Sequence, residues 1–143
     1  MSFVWLVPGA LLLIAAFVDM RKHEVPDVLP LGLLAWAVLS LVFGWLDLDW
    51  WSVPAGAVAG LVVGAVLFRL GGFGGGDAKL LAALGAFLGP AGFLVTLMFI
   101  FVAGGVLALV SRLRSRREHA YAPAIAAGYA VFLVLGGVVH GSI

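Results

Sequence analysis

Charge is missing from five long stretches of this 143-residue chain, residues 2–18, 28–46, 50–68, 80–111 and 120–139. A helix needs about 20 residues to cross a hydrocarbon layer about 30 Å thick, and inside that layer its backbone polar groups must be bonded within the protein. Four of the runs fit one crossing each. Residues 80–111 are too many for one, and they contain Gly89-Pro90, a pair that punctuates helices. Division there leaves a short segment, 78–88, and a full-length one, 91–111. The expected fold is therefore all-α, a polytopic integral membrane helix bundle with six transmembrane segments in a single domain over residues 1–143. Composition agrees: 64% of the residues are hydrophobic and 10% charged, more apolar surface than a soluble domain of this size could bury.

Lysine and arginine collect on the cytoplasmic side of short loops. With six crossings, Arg21, Lys22, Arg69, Lys79, Arg112, Arg114, Arg116 and Arg117 all fall on one face, which is then the cytoplasmic one. A single crossing through 80–111 would move the arginines that follow it to the other side. The opposite face carries Asp47 and Asp49 with Trp45, Trp50 and Trp51, the composition of an interfacial aromatic belt. Both termini are expected outside the cytoplasm. The first run has no basic residue before it and a basic flank after it, so it reads as an anchor rather than a cleavable signal. Neither a soluble second domain nor a low-complexity tail is expected. Gly56, Gly60 and Gly64 form a small-xxx-small series suited to close helix packing. A net charge of +1 gives no basic stripe for nucleic acid, and a chain without cysteine has no disulfide, thiolate nucleophile or cysteine metal site.

Two aspartates stand at the cytoplasmic ends of these runs, Asp19 after the first and Asp77 before the short fourth segment. Ionisable groups at the edge of a membrane segment are costly and mark function by default. If the first helix ends near Val18, Asp19 meets the negative end of a helix dipole, which is lost if the helix continues into the Arg21-Lys22 turn. If Ala78 opens the next, Asp77 is its N-cap at a positive end; the alternative is a helix that starts within the Gly-rich loop. The dipole and the cap together would give different proton affinities, as an acid and base pair needs. The glycines before Asp77, including Gly74 and Gly76, can take positive φ and leave a substrate backbone room to approach. Lys79 lies off the helical face of Asp77 and suits either headgroup contact or the site. Glu24, Asp27 and Glu118 are expected to pair with neighbouring basic residues. His23, His119 and His140 are too scattered for a metal site, so no metal and no cofactor is expected.

Gly74-Gly75-Gly76-Asp77-Ala78-Lys79-Leu80 resembles the Gly-x-Gly-Asp-x-Lys signature of the prepilin peptidases, polytopic aspartyl proteases of type IV pilus and related systems. Asp19-Met20-Arg21-Lys22-His23-Glu24-Val25-Pro26-Asp27 is similar to the segment holding that family's first catalytic aspartate, with Asp27 where the family usually has Asn. The segment from Tyr121 to Gly128, with Pro123, resembles the proline-containing opening of its last helix. The resemblance implies Asp19 and Asp77 as the catalytic pair, with Gly74, Gly76, Lys79 and Pro123 as motif residues. It is strongest to the compact members of tight-adherence (Flp) pilus systems, which lack the cysteine-paired insertion of larger relatives that also N-methylate their product.

The implied function is a membrane aspartyl endopeptidase that cleaves the basic leader of type IV or Flp-like prepilins, or of pseudopilins, at the cytoplasmic face of the prokaryotic inner membrane. Membrane lipid is the other expected partner. Two alternatives share the carboxylates. One is an archaeal preflagellin peptidase or presenilin-like intramembrane protease. The other is a small proton-coupled transporter, which would place its acids nearer the bilayer midplane.

Overall fold

The computed structural model of the chain describes residues 2–22, 24–71, 74–114 and 122–140. They form five helices: α1 (Ser2–Lys22), α2 (Val28–Val42), α3 (Ser52–Arg69), α4 (Gly75–Leu113) and α5 (Ala122–His140). The expected division of the fourth run occurs inside α4. Gly89 has φ 70 and ψ 172, outside the helical region, and Pro90 follows it. Proline pushes the preceding residue toward extended ψ, and positive φ is open to glycine at little cost, so this pair breaks the helix after residue 88. The two pieces stay joined in one element, giving five helices where six separate segments were expected. Of these, α1, α3 and α4 are long and apolar enough to cross a membrane, while α2 and residues 123–136 of α5 are shorter apolar helices. The chain is an integral membrane protein.

Residues 77–89 are the centre of the bundle, with all but Lys79 and Ala82 buried. A helix that is apolar on every side belongs in an interior rather than on a surface. Its main neighbour is α3, which runs antiparallel to it. A Cβ built on Gly56 would collide with the Gly85 carbonyl oxygen, one on Gly60 with that of Leu81, and one on Gly64 would fall 2.7 Å from the Ala78 Cα. Glycine therefore sets the separation of these two backbones along three successive turns of α3. On the far side of the break, α5 lies antiparallel to the rest of α4, with Gly128 against Ile100 and Phe132 near Gly92.

An aromatic cluster closes one end of the bundle. The Trp36 indole donates to the Val4 carbonyl at 3.1 Å, and the buried Tyr129 hydroxyl donates to the Trp5 carbonyl at 3.0 Å. Trp5 meets Phe87 edge-on at 5.4 Å, and Trp45 stacks on Phe43 at 5.0 Å. Leu48 and Ser52 pack over Gly89 at this same end. Trp50 and Trp51 are exposed beside it, whereas Trp45 is half-buried in the cluster.

Gly60→Ala should destabilise the protein by at least about 1 to 3 kcal/mol, because its methyl would overpack against backbone that cannot rotate away. Gly105, with nothing near a built Cβ, should accept alanine within about 1 kcal/mol. Thermal unfolding in detergent separates the two; equal behaviour would contradict the packing described.

Candidate active site

The opposite end of the bundle holds a cavity of about 390 Å³ lined by Asp19, Glu24, Val25, Gly74, Gly75, Gly76 and Asp77. Asp19 and Asp77 are far apart in the chain, and the fold brings them to one cavity. Both are buried, at 4% and 6% exposure. Burying a carboxylate is costly enough that two in one polar cavity require a compensating role or partner.

Of the two expectations for Asp19, the structure has the helix that continues into the Arg21-Lys22 turn. Asp19 lies in the last turn of α1, which continues through Met20, Arg21 and Lys22. Arginine, lysine and methionine are good helix formers, and the first residue downstream that opposes a helix is Pro26. The Arg21 guanidinium lies 4.6 Å from the Phe17 ring centre, on the outer face of the helix.

For Asp77 the structure has the helix that starts within the Gly-rich loop, not the N-cap. Gly74, extended at φ −77 and ψ 161, is the N-cap of α4, and Asp77 is the third helical residue. The backbone N–H of Gly74 donates to Asp77 Oδ2 at 3.3 Å. This is one half of a capping box, and the other half is impossible because glycine has no side chain to return. Asp77 Oδ1 is buried without a hydrogen-bond partner among the described residues.

The three glycines of the motif have separate roles. Positive φ occurs at Gly71 but at none of Gly74, Gly75 or Gly76. A Cβ on Gly76 would fall 2.8 Å from the Val25 carbonyl oxygen, so glycine there lets the α1–α2 connection lie against the first turn of α4. Gly75 has open space at its Cβ position, and a Cβ on Gly74 would lie 3.5 Å from Asp77 Oδ2. Together with Gly76 they form a wall of the cavity that carries no side chain.

Lys79 points away from this cavity. Its ammonium donates to Asp27 Oδ1 at 2.7 Å, with both side chains more than half exposed. Asp27 occupies the N-cap position of α2 but makes no side-chain cap bond there. Its carboxylate is instead an ionic partner across 52 residues, which an asparagine could not be. The expectation that Asp27 pairs with a neighbouring basic residue is corrected accordingly. Beyond this pair lies a second cavity of about 280 Å³, apolar, between α2 and α3 with Ala82 and Ala83 of α4 as its floor. Pro123 is in the first turn of α5 and lines neither cavity. His23, His119, Glu118 and the His140 side chain lie outside the described residues. Among the described residues no group of three His, Cys, Asp or Glu side chains is placed to hold a metal ion. Glu24, read from sequence as a loop charge, is an exposed residue on the wall of the carboxylate cavity. Its position could have been inferred: a connection that turns back at Pro26, directly after Asp19, has to pass close to whatever Asp19 meets.

The model of the type IV leader peptidase family matches residues 6–109. The chain belongs to that family. A prepilin leader peptidase/N-methyltransferase of Bacillus subtilis (strain 168) is 34% identical over 83% of this chain and 50% of its own length. One of Neisseria gonorrhoeae is 35% identical over 90% of this chain and 49% of its own. A preflagellin peptidase of Methanococcus maripaludis (strain C6 / ATCC BAA-1332) is 36% identical over 54% of this chain and 36% of its own. The chain thus spans about half the length of the first two relatives. No solved structure gives a significant match. In this leader peptidase family member, the matched region includes every residue lining the two cavities and ends before Pro123.

The exposed pair between Lys79 and Asp27 should contribute only about 0.2 to 1 kcal/mol. A double-mutant cycle with Lys79→Met and Asp27→Asn, read by unfolding in detergent, should give a coupling in that range. A coupling above about 2 kcal/mol would show that the pair is far more desolvated than its exposure indicates.

Proposed function

We propose that this chain is a membrane aspartyl endopeptidase that removes the basic leader of type IV or Flp-like prepilins, or of pseudopilins, at the cytoplasmic face of the prokaryotic inner membrane. The observation that carries the proposal is the single cavity shared by Asp19 and Asp77. Family membership supplies the reaction class, and the cavity supplies a place for it. In the reaction, one carboxylate of the pair is ionised and takes a proton from a water molecule, whose oxygen attacks the scissile carbonyl carbon. The other is protonated and donates to the carbonyl oxygen as the tetrahedral intermediate forms. Collapse of the gem-diol intermediate re-forms the C=O bond and breaks the C–N bond: one hydroxyl returns its proton to the second carboxylate, and the proton held by the first passes to the leaving amine. The glycine wall at Gly74–Gly76 gives an extended peptide a side-chain-free approach to the pair.

The same proposal covers topology. Six crossings in one domain, with both termini outside the cytoplasm, put all eight basic residues and both aspartates on the cytoplasmic face. The break at Gly89 supports two passes through α4. From Gly75 to that break the helix is only about 21 Å long at about 1.5 Å per residue, so local thinning or a water-filled recess accompanies it. Lys79 and Asp27 fasten the loop that carries Glu24 and Val25, and Pro123 opens the last helix. Membrane lipid surrounds the bundle. The proposal is confined to leader cleavage; the N-methyl transfer named for the relatives is assigned to no residue of this chain.

Asp19→Asn and Asp77→Asn should each lower cleavage of a co-expressed prepilin by at least about a thousandfold while leaving the protein inserted, since each keeps volume and removes an ionisable group. Full processing by either variant would sink the pair. Cleavage of preflagellin but of no prepilin would instead favour the archaeal alternative, and proton flux without cleavage the transporter. In the cysteine-free background, Asp49→Cys should react with an impermeant thiol reagent on intact cells and Arg114→Cys only after permeabilisation. Labelling of Arg114→Cys from outside would contradict six crossings.

A further inference from the structure

We infer that Glu24 is a specificity-determining residue that receives a lysine or arginine side chain of the peptide being cleaved. The inference rests on the peptidase reading above and adds to it a residue outside the catalytic pair. Among the described residues three side chains with carboxylates line the cavity, and no lysine or arginine does. Two basic groups near it are directed elsewhere: the Arg21 guanidinium lies over the Phe17 ring, and the Lys79 ammonium is held by Asp27 beside the apolar cavity. Asp77, nine-tenths buried on the cavity wall, keeps Oδ1 without a hydrogen-bond partner among the described residues. Of the three lining carboxylates, the one open to water is that of Glu24.

The ligand group is a cationic side chain. A metal ion needs several donors converging on one point, and among the described residues no three acidic or histidine groups do so. A lysine or arginine needs one carboxylate at the end of a flexible stem. Glu24 fits that part. It is exposed, whereas Asp19 and Asp77 are buried and committed to proton transfer. Its place is also fixed, because Val25 rests against Gly76 on one side and Asp27 is tied to Lys79 on the other. A cation arriving from water can pair with Glu24 at the mouth of the cavity without neutralising the catalytic pair below it.

The test uses purified full-length protein in neutral detergent, which removes attraction of the leader by acidic lipid. Wild type, Glu24→Gln and Glu24→Lys are assayed on one prepilin carrying either its own lysine- and arginine-containing leader or the same leader with those residues changed to glutamate. Wild type should prefer the basic leader by about fivefold, mainly through KM, with the preference fading in about 1 M salt. Glu24→Gln should lose the preference and keep kcat, and Glu24→Lys should prefer the acidic leader. Identical ranking of the two leaders by wild type and Glu24→Lys would overturn the inference while leaving the peptidase reading intact. Failure of wild type to cut either leader would overturn the peptidase reading, and the inference with it.

Discussion

The contact between the glycine face of α3 and residues 78–85 of α4 is the constraint on which the rest of the structure depends. Helices in a membrane gain little from hiding apolar surface from other apolar surface, so they associate through close packing. Gly56, Gly60 and Gly64 allow an approach that any side chain would prevent. That approach makes the start of α4 the buried axis of the bundle, and the aspartate two residues past its first turn's opening glycine is buried along with it. The break at Gly89 then ends this axis beneath the aromatic cluster. Asp77 is thus held at a defined depth by packing at both ends of a short helical piece.

Around that axis, polar groups sort by exposure. The buried Asp19 and Asp77 share a cavity, while the Lys79 and Asp27 pair stays in contact with solvent on the other side of the same loop. An exposed pair contributes little to stability, but it fixes where the α1–α2 connection crosses the start of α4. The close approach of Val25 to Gly76 does the same from the backbone. One exposed ion pair and one glycine therefore shape the mouth of the cavity. An apolar recess of about 280 Å³ lies just beyond it, between α2 and α3.

Much of this was legible from charge alone. The start of α2 at Val28 and the end of α3 at Arg69 coincide with the edges of charge-free runs. The discrepancies arise where charge and helix-forming tendency disagree. Arg21 and Lys22 mark the membrane edge, yet both continue a helix, so α1 runs past Asp19. Residues 43–46 are free of charge, yet Gly44 at φ 66 follows the end of α2. Gly75 and Gly76 read as loop and are helical, because their lack of side chains serves contact with Val25 and the cavity. Asp19 and Asp77 were identifiable as isolated ionisable residues beside apolar runs. The Lys79 and Asp27 pair was not, since it depends on how the loop folds back.

Whether Asp19 and Asp77 act as one unit is tested most directly by the pH dependence of kcat/KM for leader cleavage. A pair that shares a proton titrates in two macroscopic steps, and only the singly protonated form is active. Shared action predicts a bell-shaped profile for the purified protein. A rate that rises or falls through a single step, or that does not change across the range in which carboxyl groups titrate, would contradict it.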